Sequence, residues 1–318
     1  MHDVKSPSPG PKSYSLAKAG LREVLSNISS SSTAALVSLV AVTAIWGSTF
    51  LLVKNAISRA PVMDFLAVRF ALAAAVMFAL RPNCLRGIAR RGLLRGVALG
   101  AALGAGYVTQ TYGLLSASPS VSGFITGTFV VFTPVASLVV LRRSIDRHTW
   151  LGVALALAGV ALLGLRGWSL GAGELLTLAC AVFFALQIVG LGEWASRETA
   201  YGLAFLQIAT VAVVCMAVAA PSGLRLPAEL SVWGAIVITA ILATALAFFV
   251  QTWAQSLLAP THAAVVMTME PMFAGIFGVV FGGDSLTLRV AAGFACILAA
   301  MLFVQISHRS QGARNGPG

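Results

Sequence analysis

The feature that most constrains this chain is a series of apolar stretches, each long enough to cross a bilayer, repeated along its whole length. A hydrocarbon core roughly 30 Å thick takes about 20 apolar residues in a helix. Stretches of that kind fall at 34–53, 62–80, 96–115, 120–141, 149–165, 175–192, 200–220, 231–252, 261–282 and 290–306. Inside lipid every backbone polar group must be satisfied within the protein, and period-2 alternation is absent, so the segments read as helices. The expected fold is an all-α polytopic membrane protein with ten transmembrane helices, neighbours antiparallel across short connectors. Charged residues make up 10% of the chain and hydrophobic ones 58%. Soluble domains carry about 25% charged residues, so this chain could not clothe itself for water.

A net charge of +11 at first suggests a polyanion ligand. Position argues otherwise. Given ten spans, 15 of the 21 Lys and Arg fall on the side of the N-terminus. Lys54, Arg59, Arg166, Arg225 and Arg289 fall on the opposite side, and Arg69 lies within the second span. The positive-inside rule then places both termini in the cytoplasm of a cell (plasma or inner) membrane. The cluster Arg86, Arg90, Arg91 and Arg95 is explained by topology and anionic headgroups, without nucleic acid. Residues 1–33 read as a solvated cytoplasmic tail with a short interfacial helix near Leu16–Leu25, and 307–318 as a second tail. Cys84, Cys180, Cys215 and Cys296 are far apart, a pattern that fits small apolar fillers of helices and neither a metal site nor a disulfide framework. No metal or other cofactor is expected.

The chain also repeats itself. At an offset of 141 residues Gln110-Thr111 falls on Gln251-Thr252, each followed by an aromatic, Tyr112 and Trp253. Pro119 meets Pro260, Phe132 meets Phe273 and Gly152 meets Gly293. The earlier spans align near 138, which sets Trp46-Gly47 over Phe184-Ala185. The units are 34–165 and 173–306, five spans each. An odd number forces the second unit to enter the membrane from the other side, so the repeats are inverted, as in carriers that work by alternating access.

Polar residues inside spans cost free energy and mark pathways. Glu270 lies nine residues into the ninth span, about 14 Å deep at 1.5 Å per residue. Pro271 follows it and removes a helical hydrogen bond, and Pro134 is a second expected helix break. A carboxyl beside a broken turn can take up a proton or a cationic group, which makes Glu270 the proton-coupling candidate. Arg69, about 10 Å deep in span two, is expected either to bind an anionic group such as a substrate carboxylate or to snorkel to the headgroups. Gln110, Gln187 and Gln251 are candidate polar contacts to substrate, and Gln207 reads as a bridge between helices. Trp46, with Phe50 a turn later on the same face, suits either a cavity wall or plain packing. His262 opens span nine and reads as interfacial. Glycines at 100/104, 123/127 and 278/282 allow close helix approach.

In order and spacing, several segments resemble the drug/metabolite transporter superfamily, and within it the EamA-type ten-span members. They are Ala44-Ile-Trp-Gly-Ser-Thr-Phe50, Leu66-Ala-Val-Arg-Phe70, Ser116-Ala-Ser with Gly123-Phe-Ile-Thr-Gly and Pro134, and Met269-Glu-Pro-Met-Phe273. The resemblance covers residues 34–306. It implies a secondary carrier of small metabolites, often an exporter, with inverted repeats, no bound cofactor, and proton coupling or exchange. Gly283-Asp284 stands where the family usually has Gly-Glu, and Phe129-Val130 stands opposite Glu270-Pro271. Coupling chemistry is therefore expected to be asymmetric between the halves.

Trp46, Phe50, Arg69, Gln110, Tyr112, Gln187, Gln251 and Trp253 form the expected substrate site. The expected cargo is an amino-acid-like or drug-like solute. A lipid or amphiphile flippase and an uptake permease of the same architecture remain open. An enzyme is disfavoured because no convergent catalytic set is visible, and a channel because no ring of charges or carbonyl filter is. The partners expected are a small-molecule substrate and the bilayer, with homodimerisation open.

Overall fold

The computed structural model describes residues 11–142, 147–166, 169–258, 266–267 and 269–314. Its elements, in chain order, are α1 (Pro11–Ile57), α2 (Val62–Leu80), α3 (Arg90–Gly113), α4 (Pro119–Gly127), α5 (Phe129–Leu141), α6 (Arg147–Gly164), α7 (Ala172–Trp194), α8 (Ala200–Ala219), α9 (Leu230–Ala240), α10 (Ala247–Gln255), α11 (Met269–Phe281) and α12 (Leu288–Arg314). Among the described residues seven helical segments are long and apolar enough to cross a membrane, and three shorter apolar helices (Trp150–Leu162, Met269–Phe281 and Leu288–Ala300) accompany them. The body of the chain is thus a helical multi-pass membrane protein. The connector between α6 and α7 forms a two-residue antiparallel ladder, Leu165 with Leu170 and Arg166 with Ser169.

Four local details differ from the sequence expectation. α1 is one continuous helix from Pro11, where a short helix over Leu16–Leu25 was expected. Span four is interrupted at Thr128, between α4 and α5. Thr128 Oγ1 turns back to the Ile125 carbonyl at 2.6 Å. Pro134, the expected break, lies inside α5. Pro271 is the third residue of α11, in a first turn where a missing N–H is tolerated. Span eight runs through a π-helical segment, Ile241–Leu246, that joins α9 to α10. His262 and Pro260 lie outside the described residues.

Packing follows the 141- and 138-residue offsets. α1 packs on α11, and its counterpart α7 packs on α4 and α5. α2 meets α8 and α6 meets α12, each an element joined to its own equivalent, and α4 meets α11, the equivalent of α5. Close approach depends on small residues. A Cβ on Gly47 would stand 2.5 Å from Phe273 Cβ and 2.8 Å from both Ala274 N and Glu270 O, so α1 and α11 touch backbone to backbone. The main core runs through Leu39, Phe65, Phe70, Ile208 and Ile236, and a smaller one joins α4, α6 and α12. Phe124 and Phe294 stack in the smaller core at 3.7 Å between ring centroids. Cys180 and Cys215 are buried in helices and Cys84 in the turn after α2, all as free thiols.

Candidate functional site

Where α1, α3, α5, α7, α10 and α11 converge they leave a cavity of about 420 Å³, counting its mouth. Its walls are Trp46, Leu103, Tyr107, Gln110, Phe129, Phe184, Gln187, Ile188, Phe248, Gln251, Met267 and Glu270. Eight of these twelve are equivalent in pairs. Trp46 and Phe184 differ by 138 residues, while Tyr107 and Phe248, Gln110 and Gln251, and Phe129 and Glu270 each differ by 141.

The ring contacts exchange under the same operation. Trp46 meets Phe248 at 5.4 Å between centroids, and its counterpart Phe184 meets Tyr107 at 5.5 Å. Tyr107 and Phe248, counterparts of each other, meet at 6.0 Å. The hydroxyls of Thr111 and Thr252 donate to the carbonyls of Tyr107 and Phe248, each at 2.7 Å. Tilted and edge-on rings at such spacings are the favourable arrangements for aromatic pairs.

Symmetry ends at the polar groups. Trp46 Nε1 donates to the Ala243 carbonyl at 2.9 Å. Arg69 Nε donates to Thr244 Oγ1 at 3.0 Å. Both acceptors belong to the π segment, whose wider turn shifts the backbone ladder, and such bulges recur at functional sites. Leu103 stands at the position equivalent to Thr244, and Gln207 at that equivalent to Arg69. Gln207 makes a different bridge: its Oε1 accepts from Gln187 Nε2 at 2.7 Å while its own Nε2 donates to Leu203 O at 3.2 Å. Gln110 Nε2 donates to Thr126 Oγ1 at 3.1 Å.

Of the residues expected from sequence, Trp46, Gln110, Gln187, Gln251 and Glu270 line the cavity. Arg69 does not, and it does not snorkel. It is 2% exposed, with its guanidinium carbon 4.9 Å from the Tyr107 ring centroid and 5.4 Å from that of Phe70. Its charge therefore stands behind the Tyr107 wall. Phe50 is buried beside Gly123 and Ala274, packing α1 onto α4 and α11. Tyr112 is 39% exposed on the outside of α3, and Trp253 packs on the main core away from the cavity. Tyr107 and Phe248 take the places expected for these two. A residue three before each glutamine shares its helical face, whereas one two after it points to the far side. That signal was present in the sequence.

Glu270 is 6% exposed and has no hydrogen bond or ion pair among the described residues. Two further acids are buried, Asp64 and Glu174, both in first helical turns, where a negative charge meets the positive end of the helix dipole.

A second cavity, of about 550 Å³, extends from the first past Phe129, Ile188 and Met267. It runs toward the C-terminal ends of α5, α7 and α10, along Thr133, Ser137, Glu193 and Gln255. At the other end of the helices polar contacts tie the segments together, beside a further cavity of about 600 Å³ lined in part by Ser120 and Asp284. Lys54 Nζ donates to the Ala117 carbonyl. Asp284 accepts from the Ser120 backbone N–H at 2.9 Å and from the Ser120 hydroxyl.

These features define the class: a helical membrane protein with a buried cavity, its aromatic and amide walls built twice over from an internal repeat. The sequence pattern of the EamA-like transporter family matches residues 33–165 and again 171–306. The chain belongs to that family. It is 32% identical over 269 residues to an uncharacterized transporter of Archaeoglobus fulgidus, covering 84% of each chain. A solved crystal structure of another protein has a similar fold, with a TM-score of 0.59 and 21% identity, over 87% of this chain and 99% of that one.

The Trp46 hydrogen bond makes a test of the site's architecture. Trp46→Phe keeps an aromatic wall but leaves the Ala243 carbonyl without its donor, a loss expected to cost about 1–3 kcal/mol. A thermal melt in detergent should show the midpoint falling by several degrees, and an unchanged midpoint would mean the bond carries no stability.

Proposed function

We propose that the protein is a secondary active carrier of small metabolites, working by alternating access between two inverted five-span units. The observation that carries this reading is the cavity wall built from offset-related residues, with helix contacts that exchange under the same offset. On this reading the three shorter apolar helices serve as spans five, nine and ten. Five spans per unit reverse the second unit in the membrane, and the excess of basic residues on the N-terminal side puts both termini in the cytoplasm. The second cavity then opens to the cytoplasm, while Lys54, Ala117, Ser120 and Asp284 close the outer end. A carrier resting open to the inside is suited to loading solute there and exporting it.

Glu270 is the proton-coupling group in this scheme. Tyr107 shares the cavity wall with it, and Arg69 stands behind Tyr107. The chemistry at the site is binding and proton exchange, with no bond of the solute made or broken.

Flux measured in proteoliposomes tests the reading, with soluble amines and amino acids in one arm and fluorescent lipid in the other. Carrier function predicts saturable movement of a soluble solute that accelerates when unlabelled solute waits on the far side. Movement of lipid alone would replace it with the flippase alternative. Removing the outer closure should also shift the resting state. Asp284→Ala is expected to raise external labelling of Phe50→Cys about fivefold, since losing the partner of a partly buried hydrogen bond costs about 1 kcal/mol. No change in labelling would show that Asp284 does not hold the outer end shut.

A further inference from the structure

We propose that the cavity is built for an organic monocation, a protonated amine carrying about one aromatic ring, an assignment that rests on the carrier reading above. Three independent features of the wall converge on this chemistry.

The first is charge. Glu270 is the one charged side chain lining the cavity among the described residues, and it has no partner there. Among the described residues no Lys, Arg or His lines the cavity. Arg69 is already engaged with Thr244 and stands behind Tyr107. A solute carboxylate entering this space would meet Glu270 and find no cation on the wall, whereas a protonated amine would supply the missing partner.

The second is the polarity of the amides. Leu203 O can only accept, which fixes Gln207 with its Nε2 toward that carbonyl and its Oε1 toward Gln187. Gln187 must therefore spend an N–H on Gln207, and its own carbonyl oxygen is left for the cavity. Gln110 likewise spends its Nε2 on Thr126. Gln251 Oε1 is buried with no donor. Against these acceptors stand the Tyr107 hydroxyl, the Gln251 amide and the second N–H of Gln110 and of Gln187, so Gln251 Oε1 is the wall acceptor that clearly lacks a donor. Unmatched buried acceptors are costly until a donor arrives, and an ammonium group brings up to three donors and no acceptor.

The third is the aromatic box. Trp46, Tyr107, Phe129, Phe184 and Phe248 present ring surface to one space. Ring faces attract cations, most strongly where water is excluded, and rings around a positive nitrogen are a recurrent solution for ammonium ligands. The same rings give the apolar part of the solute its contact area.

The test is calorimetric binding to purified full-length protein in detergent, with four probes that share a phenyl ring and differ in charge. They are phenethylammonium, 2-phenylethanol, phenylacetate and zwitterionic phenylalanine. The expected result is that phenethylammonium binds at least about tenfold more tightly than each of the others. Glu270→Gln should erase that preference, with size-exclusion behaviour unchanged. Because the charge preference is read on the unaltered protein, a variant that fails to fold does not remove the test. Equal or tighter binding of phenylacetate or phenylalanine overturns the assignment, and so does the absence of binding by phenethylammonium. The two readings fail separately. Flux of phenylalanine without amine binding keeps the carrier and discards the cation, while tight amine binding without flux of any soluble probe does the reverse.

Discussion

Glu270→Gln is expected to abolish pH-driven flux while leaving the protein folded. The substitution preserves shape and removes the one carboxyl on the cavity wall among the described residues, so the group that would take and release a proton in each cycle is gone. Burying a charge without a partner is costly, so the neutral amide should leave thermal stability unchanged or raised. In proteoliposomes with an imposed pH gradient, accumulation should fall to background, a loss of at least tenfold or about 1.4 kcal/mol in barrier terms. Exchange of solute for solute at equal pH should lose less. Undiminished accumulation across the pH range would remove Glu270 from the coupling scheme.

The second large effect is expected at Gly47. Its Cα faces the backbone of α11 closely enough that a Cβ would lie 2.8 Å from the Glu270 carbonyl oxygen and 2.8 Å from Ala274 N. Backbone cannot swing aside as a flexible side chain does. Overpacking costs about 1–3 kcal/mol for an added methylene or two, and Gly47→Val adds a branched side chain at a main-chain contact. We expect Gly47→Val to fail to yield folded protein. Gly47→Ala should fold with a lowered melting midpoint and impaired flux, because the turn that must move aside carries Glu270. Normal stability and flux in Gly47→Ala would show that α1 and α11 do not meet there as described.

The spans themselves were legible because lipid imposes one requirement, about 20 apolar residues in a row, and nothing else in the chain imitates it. Five cavity residues, Trp46, Gln110, Gln187, Gln251 and Glu270, were legible because a polar or large aromatic group deep in a span stands out and because the repeat doubles the signal. Tyr112 and Trp253 were chosen by adjacency to the repeated Gln-Thr pair. Helical geometry instead selects Tyr107 and Phe248, aromatic in both units and on the glutamines' own face. Arg69 was ambiguous because sequence fixes its depth and leaves its direction open, and direction is set by Thr244 and Tyr107 from other helices. The π segment was out of reach. Ile-Leu-Ala-Thr-Ala-Leu is simply apolar, and nothing in it marks a widened turn whose carbonyl will be claimed by Trp46 from another helix. The interruption at Thr128 was misplaced onto Pro134 for a related reason. A proline forfeits one hydrogen bond and can still sit in a packed helix.

The measurement that bears most directly on alternating access is sided labelling at both ends of one pathway. In a background with the four native cysteines replaced, Ser137→Cys reports the inner cavity and Phe50→Cys reports the packed seam of α1, α4 and α11 beneath the outer contacts. A membrane-impermeant thiol reagent is applied from each side, with and without Asp284→Ala. Alternating access predicts reciprocal change: as Phe50→Cys becomes reactive from outside, Ser137→Cys loses reactivity from inside. Simultaneous labelling at both positions would describe an open channel, and an outer position that never reacts would describe a static cavity. Either result would contradict the account.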